Sequence, residues 1–121
     1  VILDRRGSVP DTARVFRAAP GVERLSLASW PAVLAQLAQA GYNEVLVEAG
    51  AELTSAVIAS GLWDELAWFQ GSQLLGAGQS PFASLNLQAL AEAPRLQLLE
   101  SCPIEGDHYR RYRRLDPSTE V

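Results

Sequence analysis

The chain has 121 residues, 48% hydrophobic and 20% charged, with a formal net charge of −4. These values suit one globular domain and exclude two ordinary domains, a disordered chain and a coiled coil. Its apolar runs fall far short of the roughly 18 residues that cross a bilayer, its single Cys102 precludes an internal disulfide, and its start carries no secretory pattern, so a cytoplasmic protein is predicted.

Residues 1–4 form an apolar run ended by charges and Gly7, which predicts a strand opening into a loop with turn signals at Pro10 and Asp11. Residues 24–28 alternate weakly and predict a second strand. Ser29 then sits where a helix cap belongs, with Pro31 in the first turn and Val33, Leu34, Leu37 and Ala38 at helical spacing. The helix is predicted over 31–40 and closed by Gly41. Residues 44–49, Glu-Val-Leu-Val-Glu-Ala, are apolar on both faces, as central parallel strands are, and a strand is predicted over 44–48. Gly50 follows directly, then a helix over 51–60 ended by Gly61.

Residues 64–70 predict another strand, with Leu66, Trp68 and Gln70 on one face. The glycine-rich stretch 71–82 reads as loop, and 86–91 as a short helix. Residues 95–102 and 108–115 predict a closing antiparallel hairpin, its second strand, 108–114, solvated and at an edge. The expected class is α/β: a mixed, mostly parallel central sheet flanked by helices and ending in that hairpin, with the domain over 1–115 and a polar tail over 116–121. With no Met or Lys and a first residue already in a strand, the sequence reads as the tail of a longer protein.

The strongest chemical signal is the strand–glycine–helix turn Val47-Glu48-Ala49-Gly50. A glycine there lets a ligand approach the backbone, and the first-turn N–H groups outline an anion site. Glu48, at the carboxyl end of a strand, is either a ligand contact or a salt-bridged glutamate. The loop glycines Gly71, Gly76 and Gly78 serve turns or line a site, but no P-loop lysine follows them. Cys102, Glu105, Asp107 and His108 cluster in sequence without the ligand spacing of a metal centre. The arginines and tyrosines of 108–114 would split between two strand faces. Together with ten acids against Arg24 and Arg95 over residues 21–107, this argues against a nucleic-acid surface.

Four blocks carry a family resemblance: Val-Ile-Leu-Asp at 1–4, Val-Leu-Val-Glu-Ala-Gly-Ala-Glu-Leu at 45–53, Gly-Leu-Trp-Asp-Glu-Leu at 61–66 and Gln-Leu-Leu-Gly at 73–76. In order and spacing the chain resembles the reductase domain of the bifunctional riboflavin-biosynthesis deaminase/reductase, which has a dihydrofolate-reductase-like fold. The resemblance implies an NADPH-dependent reduction of 5-amino-6-(5-phosphoribosylamino)uracil to its ribitylamino form. It also implies that Glu48 contacts the substrate. Gly50, Ala51, Glu52, Leu53, Thr54, Ser55 and Ala56 would receive the cofactor phosphates, with no metal, no nucleic acid and no membrane involved. Gln73 stands where the family often has lysine, and Arg5 where it often has serine. The family's domain extends N-terminally beyond this chain, so the 121 residues alone are expected to be inert and to self-associate, and the parent to be a homodimer. The competing expectation is a non-catalytic, reductase-like module for dimerisation or nucleotide binding.

Overall fold

The computed structural model describes residues 1–18 and 20–116; of the expected tail, only Asp116 lies within them, paired with Arg114 at 2.9 Å. The chain forms two compact units, Val1–Leu46 and Val47–Val121.

In the first unit β1 (Ile2–Leu3) runs parallel to β2 (Arg24–Leu25), with Ile2 opposite Arg24 and Leu3 opposite Leu25. Both strands are shorter than their apolar runs. Between them lies α1 (Arg14–Ala18), a short helix in what the sequence reads as loop. Its sequence signal is slight, and Arg17 steadies it by donating to the Thr12 carbonyl. Helix α2 (Trp30–Gln39) starts at Ser29 and Pro31, as their types require, although the Ser29 hydroxyl makes no capping bond. Gly41, at φ +88°, turns the chain after it, a conformation that disfavours any residue with a Cβ. Val33 and Leu37, one turn apart, are buried against Leu25, and Leu3, Leu27 and Trp30 close around them. Burying three aliphatic side chains is worth about 1.5–3 kcal/mol each, which makes this cluster the unit's main source of stability.

The segment predicted as the central strand forms none: residues 44–50 carry no ladder, and Leu46 is 80% exposed. The reason is physical. A run apolar on both faces holds strand form only with neighbours on both sides and paired N–H and C=O groups, and among the described residues it has neither.

The second unit begins with α3 (Ala51–Ser60), whose Val57 and Ile58 are buried and whose end is Gly61, left-handed at φ +68° as expected. Strands β3 (Glu65–Gln70), β4 (Leu96–Ile104) and β5 (Asp107–Arg114) form one antiparallel sheet in the order β3-β5-β4. The hairpin is as predicted. Its two turn residues, Glu105 (φ 49°) and Gly106 (φ 97°), both have positive φ, the geometry that matches strand twist in a two-residue turn.

The predicted edge position of 108–114 is corrected, because β5 is the middle strand. Its charges are tolerated there because they are paired. Arg111 lies between Glu65 (3.0 Å) and Glu100 (3.3 Å), Arg113 reaches Glu65 (3.4 Å), and Arg110 donates to Gln70 Oε1 (3.0 Å). The short helix expected over 86–91 is a single 3₁₀ turn, Leu90–Glu92, with the Glu92 carboxylate accepting the Gln88 N–H. The fold class is α/β with the antiparallel hairpin at its end, as expected, although its parallel sheet has only two strands.

Candidate functional site

The turn into α3 is where the second unit leaves backbone polar groups open. The first helical bond runs from the Thr54 N–H to the Gly50 carbonyl (3.0 Å), so the N–H groups of Ala51, Glu52 and Leu53 have no partner within the helix. No side chain caps them. Gly50 has φ −74° and ψ 173°, a conformation open to every residue, and a Cβ built on it meets no atom within 4 Å. The fold therefore does not require glycine here. What glycine leaves is a backbone without a side chain next to three donors at the positive end of a helix, a local arrangement that favours an anion. Glu52 is the one acid in the first turn, but it is exposed, and water screens its carboxylate.

The predicted site residues divide into two groups. Gly50, Ala51, Glu52 and Leu53 form the open turn. Thr54 turns its hydroxyl back onto the Ala49 carbonyl (3.3 Å), and Ala56 is exposed one turn further along. Ser55 faces inward: it is 1% exposed, and its Oγ accepts the Ser84 N–H at 3.2 Å. Glu48 is exposed just ahead of the turn and forms no ion pair among the described residues.

Two further arrangements carry charge. In the first unit Asp4 is buried at the end of β1, and its carboxylate accepts the Ser8 N–H (2.9 Å), the Ser8 hydroxyl (3.3 Å) and the Val9 N–H (3.0 Å), with Arg24 Nε at 3.6 Å. The Val9 hydrogen bond is the largest influence on its acidity. Together with the Ser8 bonds and Arg24 it outweighs burial and holds the carboxyl below the usual aspartate range. The sequence motif at 1–4 gives the Asp4 side chain no role by itself; the available signal is a serine four residues on, the spacing of a loop closed on its own carboxylate.

In the second unit an open hollow of about 380 Å³ lies beside the β4–β5 turn, lined by Gln70, Ser72, Asp107, His108 and Arg110 among others. His108 Nε2 meets Ser101 Oγ at 2.8 Å and not Cys102, which sits opposite Tyr109 on the other face of the sheet. Cys102 is a half-buried free thiol. Glu65 is held below the usual carboxylate range chiefly by its hydrogen bond from Arg111, which is itself held more firmly protonated by that contact.

Comparison with known proteins gives this geometry its setting. No curated protein matches the sequence significantly. Among solved structures, RibD of Acinetobacter baumannii, in its form 2, is similar with a TM-score of 0.81 and 29% identity, over 94% of this chain and 37% of that one. Form 1 gives 0.81 and 29%, over 95% and 37%. A diaminohydroxyphosphoribosylaminopyrimidine deaminase/5-amino-6-(5-phosphoribosylamino)uracil reductase from Thermotoga maritima shares the fold at a TM-score of 0.78 and 21% identity, over 94% of this chain and 37% of that one. The chain thus spans little more than a third of the length of these neighbours. The family model described as the RibD C-terminal domain matches residues 1–109, and the chain belongs to that family.

Proposed function

We propose that this chain is part of a cytoplasmic enzyme that uses NADPH to reduce 5-amino-6-(5-phosphoribosylamino)uracil to its ribitylamino form in riboflavin biosynthesis. The observation that carries the reading is the open α3 turn, lying within the stretch of sequence matched to the RibD C-terminal domain. When bound, the cofactor supplies a hydride to C1′ of the opened ribose, and a proton from solvent completes the two-electron reduction.

The chain's own contribution is to bind and orient. The N–H groups of Ala51, Glu52 and Leu53 take the cofactor diphosphate over Gly50, each anionic group gaining about 0.3–1 kcal/mol from the helix end. In this reading Glu48, exposed three residues ahead of Ala51, accepts hydrogen bonds from substrate hydroxyl or amino groups. NADPH oxidation by the full-length parent, followed at the nicotinamide absorbance with the ribosylaminouracil substrate, tests the assignment; no oxidation by folded parent would reject it. Glu48→Gln should impair substrate use more than cofactor binding, and equal losses in both would make Glu48 structural.

One observation favours association as well. Within the second unit Phe69, Leu74 and Leu75 are exposed, and apolar surface of this kind is commonly covered by a second copy. We propose a homodimeric parent, which sedimentation at micromolar concentration checks.

A further inference from the structure

Ser55 is the one fully buried side chain among the described residues, and its hydroxyl accepts the Ser84 N–H. A hydroxyl sealed from solvent cannot meet a ligand that docks on the exposed end of the helix. Its partner belongs to a compact turn. The Ala83 N–H donates to the Ser80 carbonyl (3.2 Å), the Leu85 N–H to the Phe82 carbonyl (3.0 Å), and the Phe82 N–H to Ser80 Oγ (3.2 Å). The Phe82 ring stacks on Trp68 of β3 at 5.8 Å. Residues 80–85 are thus fastened to β3 by a ring pair and to α3 by Ser55. At the near end of the glycine-rich loop, the Ser72 N–H donates to Asp107 Oδ1 (3.2 Å), and between the two anchors Leu74 and Leu75 lie exposed.

We infer that Ser55 is a positioning residue and not a cofactor contact: it clamps the far anchor of the glycine-rich loop to the helix whose first turn takes the cofactor. The inference rests on the proposed reading of the α3 turn. Ser55 lies four residues after Ala51, directly behind the open donors, so one rigid helix carries both the phosphate contacts and the loop anchor. Removing the hydroxyl frees the anchor without touching the donors. Hydride transfer depends on held geometry, so turnover falls while cofactor affinity does not.

The test uses the full-length parent. Ser55→Ala should speed amide exchange over residues 80–85 by about fivefold to tenfold, as one lost hydrogen bond implies, with protection kept within α3. NADPH affinity, read by fluorescence titration, should stay within about twofold while kcat falls. If affinity instead drops by about tenfold or more and exchange at 80–85 is unchanged, Ser55 is a cofactor ligand and the inference is wrong. Should the variant not fold, the unmutated parent decides: its Ser84 amide must exchange more slowly than those of 74–78 without NADPH, and equal rates overturn the clamp. A folded parent that binds no NADPH overturns the cofactor reading and Ser55's place in it, whereas slow Ser84 exchange abolished by Ser55→Ala would still establish the clamp.

Discussion

The loop after β1 and the turn into α3 deal with backbone N–H groups in opposite ways. At the first, Asp4 draws in the N–H groups of Ser8 and Val9 and the Arg24 side chain, and Arg24 reaches on to Asp11 at 3.1 Å while lying over the Phe16 ring. The Ser8, Val9 and Arg24 donors around that carboxylate are spent within the protein. At the second, Gly50 offers no side chain, and three N–H groups have no partner within the helix and no capping side chain. A closed polar corner holds a fold together, whereas an open one is available to a ligand. The two loops belong to separate units, so the comparison concerns local chemistry.

The largest expected effect lies beneath the closed corner. Leu37→Ala should cost about 2–5 kcal/mol, because Leu37 is buried against Leu25, the residue paired with Leu3 next to Asp4. Denaturant unfolding of the parent, followed by exchange in the first unit, measures it, and a loss well under that range would mean the cluster is not the unit's support.

Gly50→Val comes next and probes the open corner. It should weaken NADPH binding by about tenfold or more, roughly 1.4 kcal/mol. The melting midpoint should hold, since φ −74° suits valine and its Cβ meets nothing. Unchanged affinity in a folded variant would move the cofactor elsewhere.

A smaller effect separates the corners by pH. Asp4 has its folded pKa depressed below its unfolded value, so its contribution is present above the ordinary aspartate value of about 3.9 and is lost as pH falls through the folded value. Stability measured from pH 5 down to pH 2 should fall more steeply for the native sequence than for Asp4→Asn, and parallel curves would remove Asp4 as the cause. Least affected should be Ser29→Ala, at under about 0.5 kcal/mol, because a cap whose hydroxyl makes no bond has little to lose.

Much of this molecule was legible in its sequence. Local signals act over a few residues: Pro31 and Gly41 bound α2, Gly50 and Gly61 bound α3, and alternation set the faces of β3 and β5 in the paired register. The strand–glycine–helix turn was visible for the same reason, since donors at a helix start follow from helix geometry alone. Tertiary structure decided the rest. Nothing local places β5 between β3 and β4: its arginines read as an edge until Glu65 and Glu100, distant in sequence, are brought alongside to pair them. Nothing local turns Ser55 inward, because its partner Ser84 is 29 residues away. Residues 44–49 show the converse, a strong local strand signal without the long-range partners that a strand requires. Propensity and periodicity fix which conformations are cheap, but hydrogen-bond ladders and ion pairs are completed only between segments that the fold brings together.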